Sequence, residues 1–174
     1  NVHATIIGTY NEDSQHFNLL VGGSTFGDAR SSLLSDGHSF TDLATGDLSG
    51  NLAGVDMAYL SWNGFPTYLD RTQASVFQNY VLSGGTLVVQ ADHNAYDNLL
   101  AMFGVSVGVS NFLGTQSITT SFAPLTDGPH GTVVNTNVSL AFQLSLPTGA
   151  MMLDSANTIA VLGDGFGLGA GAGM

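Results

Sequence analysis

Three short polar clusters in this chain could do chemistry: Ser61-Trp62-Asn63, Asp92-His93-Asn94 and Asp127-Gly128-Pro129-His130. An aspartate beside a histidine offers a carboxylate to orient an imidazole and an imidazole to move a proton. Ser61, His93 and Asp127 together would supply the nucleophile, base and orienting acid of a serine hydrolase. Asp92, His93 and His130 are ligand types that suit zinc or manganese. Trp62, Phe65 and Tyr68 cluster beside Asn and Asp, as on sugar-binding faces, and Trp62, Asn63, Asn94 and His130 are the ligand-binding candidates. Each cluster also has a plainer role. Asp92 or Asn94 is expected to cap the following helix, Trp62, Phe65 and Tyr68 to pack a loop onto the core, and His130 to occupy a turn. The Gly-x-Ser-x-Gly elbow is absent, since Ser61 lies between Leu60 and Trp62. Asp92, His93 and Ser61 are therefore weak catalytic candidates, no cofactor or metal is expected, and His16 and His38 receive no role.

The elements that must position these clusters are clearest between Asp70 and Phe103. Asp70 with Gln73 predicts a capping box. Val76, Phe77, Tyr80 and Val81 then share one helical face, and Gly84 can take the left-handed conformation that ends a helix. Thr86 to Val89 is apolar or β-branched without alternation, as in a parallel strand covered on both faces. Tyr96, Leu99, Leu100 and Phe103 restore the helical stripe, which Gly104 closes. Helix, strand, helix is part of a crossover unit.

Upstream, His3 to Tyr10 reads as a first strand with Gly8 permitting a close approach. A helix is expected over Phe26 to Ser35 with a cap at Gly37, then a short strand over Phe40 to Leu43 and another over Met57 to Trp62. Downstream, Val105, Val107 and Val109 alternate with small polar residues, a period of two. Ile118 to Phe122 repeats this weakly, and Ala123 to Gly131 is rich in turn formers. Thr132 to Phe142, Ala150 to Leu153 and Thr158 to Leu162 are further strand candidates. The expected fold is an α/β three-layer sandwich with a mainly parallel, flavodoxin-like sheet and a β-rich C-terminal half. Residues 1–162 form a single domain; 163–174 are a glycine-rich tail that reads as cut short before another strand.

Composition narrows function. With 44% hydrophobic and 9% charged residues, against about 25% charged in an ordinary soluble domain, the surface must rely on Ser, Thr, Asn and Gly. Thirteen acids face only Arg30 and Arg71, a net charge of -11, so phosphate backbones and anionic membranes are repelled and no nucleic-acid partner is expected. No apolar run approaches the ~20 residues needed to span a bilayer. Cysteine is absent, which removes thiolate chemistry and disulfides. A lysine-free chain beginning at Asn1 is expected to be exported, placing it outside the cell or on its surface.

The apolar strand Val55 to Trp62, the helix end Gln78 to Gly85 with its Tyr-Val-x-x-Gly-Gly pattern, the strand Thr86 to Val89 and Pro129-His130-Gly131 cover roughly half of the chain. In these features it resembles the class I glutamine amidotransferase-like superfamily, in the broad sense that includes trehalose-utilisation-like members without amidotransferase activity. The composition also resembles bacterial exported proteins with a C-terminal sorting signal. The resemblance implies a fold; where the amidotransferases place an elbow cysteine, this chain reads Gln90 to Asn94, so glutaminase chemistry is excluded. The functional expectation is a non-catalytic exported domain that binds a ligand, a cell-surface component or another copy of itself. The alternative is a secreted carbohydrate or ester hydrolase using Asp92 and His93, with or without a metal.

Overall fold

The computed structural model describes residues 4–10, 27–44, 46–60, 69–89, 96–111, 114–117, 119, 127–128, 131–132, 134–138, 141–152 and 160–161. Within the first half, strands and helices alternate: β1 (Ile6–Tyr10), α1 (Gly27–Ser35), β2 (Ser39–Asp42), α2 (Leu48–Leu52), β3 (Met57–Leu60), α3 (Arg71–Leu82), β4 (Thr86–Val89) and α4 (Asp97–Met102). The four strands form one parallel sheet in the order β2-β1-β3-β4, the flavodoxin-like arrangement.

Register assigns each residue to a face. Gly8, Thr41, Ala58 and Leu87 lie in one row across the sheet, and Ile7, Phe40, Met57 and Thr86 lie in the next. The first face carries the core: Tyr10, Ala58, Leu60 and Leu87 pack with Leu52 of α2, Ala74, Phe77 and Val81 of α3, and Leu99 and Leu100 of α4. The connection from β1 to β2 runs opposite in direction to the others, so a right-handed crossover puts α1 over the second face. Arg30 of α1 accordingly sits 5.6 Å above the ring of Phe40 on that face.

Local chemistry explains the element ends. Asp70 Oδ1 accepts from the Gln73 amide at 2.8 Å while Gln73 Oε1 accepts from the Asp70 amide at 3.0 Å, the expected capping box. Three helices stop in the same way, with a glycine at positive φ (Gly37, Gly84, Gly104) and paired backbone bonds such as Gly85 N to Tyr80 O and Gly84 N to Val81 O. Each stop feeds a strand directly. At Gly8 the need is for space: a Cβ there would lie 2.8 Å from Leu43 Cδ1, and Leu43 is buried.

Several expectations are corrected. A five-residue helix, α2, capped by Asp47 on the Ser49 amide, stands where none was expected, because so short an element shows no periodicity. The N-cap position of α4 is Tyr96, which makes no side-chain cap bond, so neither Asp92 nor Asn94 occupies it. The strand expected over Thr132 to Phe142 is divided among three, the end of β8 (Gly131–Thr132), β9 (Asn135–Val138) and β10 (Ala141–Ser145), with different partners. β10 pairs antiparallel with β5 (Ser106–Asn111) across a register shift, and β9 pairs with β6 (Gly114–Ser117). Two-residue ladders join β7 (Asp127–Gly128) to β8 (Gly131–Thr132) and β11 (Met151–Met152) to β12 (Ala160–Val161). Val105, Val107 and Leu144 reach the core, which is what the alternation after Gly104 predicts. Most of the strand expected over Ile118 to Phe122 lies outside the described residues, as does the tail.

Two substitutions test these assignments. Asp70→Ala should destabilise the fold by about 1 kcal/mol through loss of the cap. Gly8→Val, which drives a branched side chain into Leu43, should cost about 1–3 kcal/mol or more. Urea midpoints at constant slope would check both, and an unchanged midpoint in Gly8→Val would contradict the close approach.

Candidate functional site at the carboxyl edge of the sheet

In an open parallel sheet, ligands sit beyond the carboxyl ends of the strands where the chain direction across the sheet reverses. Here that point lies between β1 and β3, since the chain runs outward from β1 to β2 and then back across to β3 and β4. The strand ends defining this edge are Tyr10, Asp42, Leu60 and Val89.

The base of the edge is built from polar side chains with defined partners. Gln73 Nε2 donates to the Tyr10 hydroxyl at 2.9 Å, while the same amide completes the α3 cap. The buried Tyr10 ring meets Phe77 edge to face, with centroids 5.4 Å apart and planes at 87°. Asn98 Nδ2 donates to the Leu69 carbonyl at 2.9 Å, tying α4 to the entrance of α3. Asp42 Oδ1 accepts from the Ala44 amide at 2.8 Å, and the Leu43 amide donates to the Thr9 carbonyl. Thr9, buried at 2% exposure, also directs its hydroxyl toward the Thr41 carbonyl at 3.4 Å.

The residues singled out in the sequence follow these strand ends in the chain. Ser61, Trp62 and Asn63 come directly after Leu60, and Asp92, His93 and Asn94 come shortly after Val89; all six lie outside the described residues, as do Phe65, Tyr68 and His130. Of the trio Ser61, His93 and Asp127, only Asp127 is described, paired with Thr132 in the small β7-β8 ladder. No group of three or more metal-binding side chains occurs among the described residues. Reasoning from sequence missed Tyr10, Asn98 and the second role of Gln73. The Tyr10 to Gln73 bond joins residues 63 apart and has no local signature. His38 gains a structural role at the other edge, where its Nδ1 accepts from the Thr5 amide at 3.2 Å.

No protein-family model matches the chain, and no curated protein is significantly similar to it in sequence. Solved structures do share its fold. The N-terminal domain of mmIFT52 superposes with a TM-score of 0.59 at 14% identity, over 88% of this chain and 74% of that one. A putative ThuA-like protein from Bacteroides uniformis gives a TM-score of 0.55 at 14% identity, over 88% of this chain and 67% of that one. At such identities the likeness is one of fold. No helix among the described residues is long and apolar enough to cross a membrane.

Two tyrosines on the sheet side of this framework titrate abnormally. Burial pushes the Tyr59 phenol on β3 up to about 12. Burial also raises Tyr80, with nearby Asp56 adding to the rise and a backbone hydrogen bond at Thr86 opposing it. Because the folded state holds these protons more tightly than the unfolded chain, their stabilisation is complete below the ordinary tyrosine value near 10 and falls as pH rises above it, the Tyr59 share being lost toward about 12. Denaturation series across that range should show stability falling, and Tyr59→Phe should flatten the fall; an identical slope in the variant would refute the assignment.

Proposed function

We propose that this chain is an exported, non-catalytic α/β domain that binds cell-surface components or further copies of itself through the loops at the carboxyl edge. The observation that carries this reading is how the rim is used. Asp42, Asp70, Gln73 and Asn98 each have a side-chain bond to a backbone group, so these polar groups anchor loop bases. A rigid strand platform with recognition left to loops is a common design for binding sites. Sparse charge supports the same reading, because a contact between uncharged polar surfaces desolvates few ions.

A secreted hydrolase using Asp92 and His93 is the competing reading, and one pair of measurements separates them. The chain is assayed with chromogenic esters and glycosides, with and without zinc or manganese, and its association with itself and with cell-wall fragments is followed by sedimentation. The expected outcome is no turnover above buffer, with association weakened by Trp62→Ala and unchanged by His93→Ala. Turnover that disappears in His93→Ala would overturn the proposal in favour of the hydrolase.

A further inference from the structure

A recess lies away from the carboxyl edge, between α2 and the C-terminal half of α3, with a volume of about 300 Å³. Leu52 and Ser49 line one side; Val76, Asn79, Tyr80 and Ser83 line the other. Since α3 starts at the carboxyl edge and its end feeds β4, this recess sits toward the amino edge of the sheet.

Its one aromatic ring is held in place. The Tyr80 hydroxyl donates to the Val55 carbonyl at 3.1 Å. Gly85 sits against the ring so closely that a Cβ there would clash about equally with Cζ and with both neighbouring ring carbons. Near-equal distances to these three atoms place Gly85 over a ring face, so Tyr80 is backed by main chain and is a fixed wall of the recess. Beside it, the Asn79 amide and the Ser49 hydroxyl make no side-chain hydrogen bond to another described residue, while the Ser83 hydroxyl is used locally on the Asn79 carbonyl at 2.8 Å. The recess therefore offers a fixed ring, aliphatic carbons from Leu52 and Val76, and donors and acceptors from an amide and a hydroxyl.

None of the named wall residues is ionised at neutral pH, and the chain as a whole carries a charge of -11. Anionic ligands are disfavoured by the overall field, and cations have carboxylates elsewhere to prefer. The volume lies at the lower end of the ~300–1,000 Å³ usual for small-molecule sites, which suits one ring rather than a chain of them. A ligand with a C–H face for the tyrosine and hydroxyls for amide and serine is a sugar. We infer that the recess between α2 and α3 binds a single uncharged sugar ring, stacked on Tyr80 and hydrogen-bonded by Asn79 and Ser49. This site is separate from the loops of the proposed function and does not depend on them.

The test is a titration of the full chain with glucose, galactose, mannose and N-acetylglucosamine, each to high millimolar concentration, followed in amide NMR spectra. At least one sugar should give saturable shifts concentrated at residues 49–53 and 76–85. Asn79→Ala, an exposed substitution that leaves the helix intact, should weaken that sugar about tenfold without changing the melting temperature, and Ser49→Ala should weaken it less. Four negative titrations, shifts that map instead to residues 61–68 and 90–95, or an unchanged affinity in Asn79→Ala would each overturn the inference. So would concentration-dependent broadening at residues 76–83 without sugar, which would identify the face as a contact between two copies.

Discussion

The side-chain amide of Gln73 is the junction on which the arrangement of α3 against the sheet depends. Its oxygen accepts from the Asp70 amide and its nitrogen donates to Tyr10, so one group closes the helix cap and fixes the end of β1. The opposite end of α3 has a matching attachment, the Tyr80 hydroxyl on the Val55 carbonyl just ahead of β3. Between them Ala74, Phe77 and Val81 are buried against the sheet. Apolar burial supplies most of the energy but is non-directional. Two phenol hydrogen bonds at the ends of the helix set its position along the strands.

The same economy of charge appears at the amino edge. Ile6 donates its amide to Asp56 Oδ2 at 2.7 Å, Thr5 donates to His38, and the Asp56 amide returns to the Ile6 carbonyl. A chain with only two Lys or Arg residues beside thirteen acids can join few of its elements by ion pairs. Its carboxylates, amides and imidazole instead satisfy backbone groups at strand and helix ends. These bonds satisfy backbone groups that no ladder or helix turn pairs at the ends of strands and helices.

How much of this was legible in the sequence follows from the range of each interaction. The Asp70 to Gln73 box, the glycine stops at Gly37, Gly84 and Gly104, and the apolar run Thr86 to Val89 are governed by neighbours within a few residues, and their types identify them. Gly8 was suggestive because a glycine late in a strand implies a close neighbour, although only the structure identifies Leu43 as that neighbour. α2 escaped because five residues cannot display a period. The cap expected at Asp92 or Asn94 failed because cap-forming residue types do not by themselves fix where α4 begins; its N-cap is Tyr96, and Tyr96 is buried. The sheet order, the Tyr10 to Gln73 bond and the α2-α3 recess join segments distant in the chain, and no local pattern encodes them.

The candidate site at the carboxyl edge and the recess at the other end follow from one architectural fact. Helices that cover both faces of a parallel sheet leave its strand ends uncovered at the amino and carboxyl edges, and both must be finished by loops or side chains. At the carboxyl edge, anchoring is performed by Tyr10, Asp42, Asp70, Gln73 and Asn98, whose hydrogen bonds hold strand ends and helix starts in place. Chains sharing this fold at 14% identity need share no chemistry, because chemistry resides in the site and not in the fold. At the amino edge the fixed point is Tyr80, backed by Gly85 and bonded to Val55. A ring immobilised for structural reasons is already organised for stacking, so a ligand meeting it loses little further entropy in the protein. Structural anchoring thus prepares a surface for binding as a by-product, at a place the fold does not conventionally use.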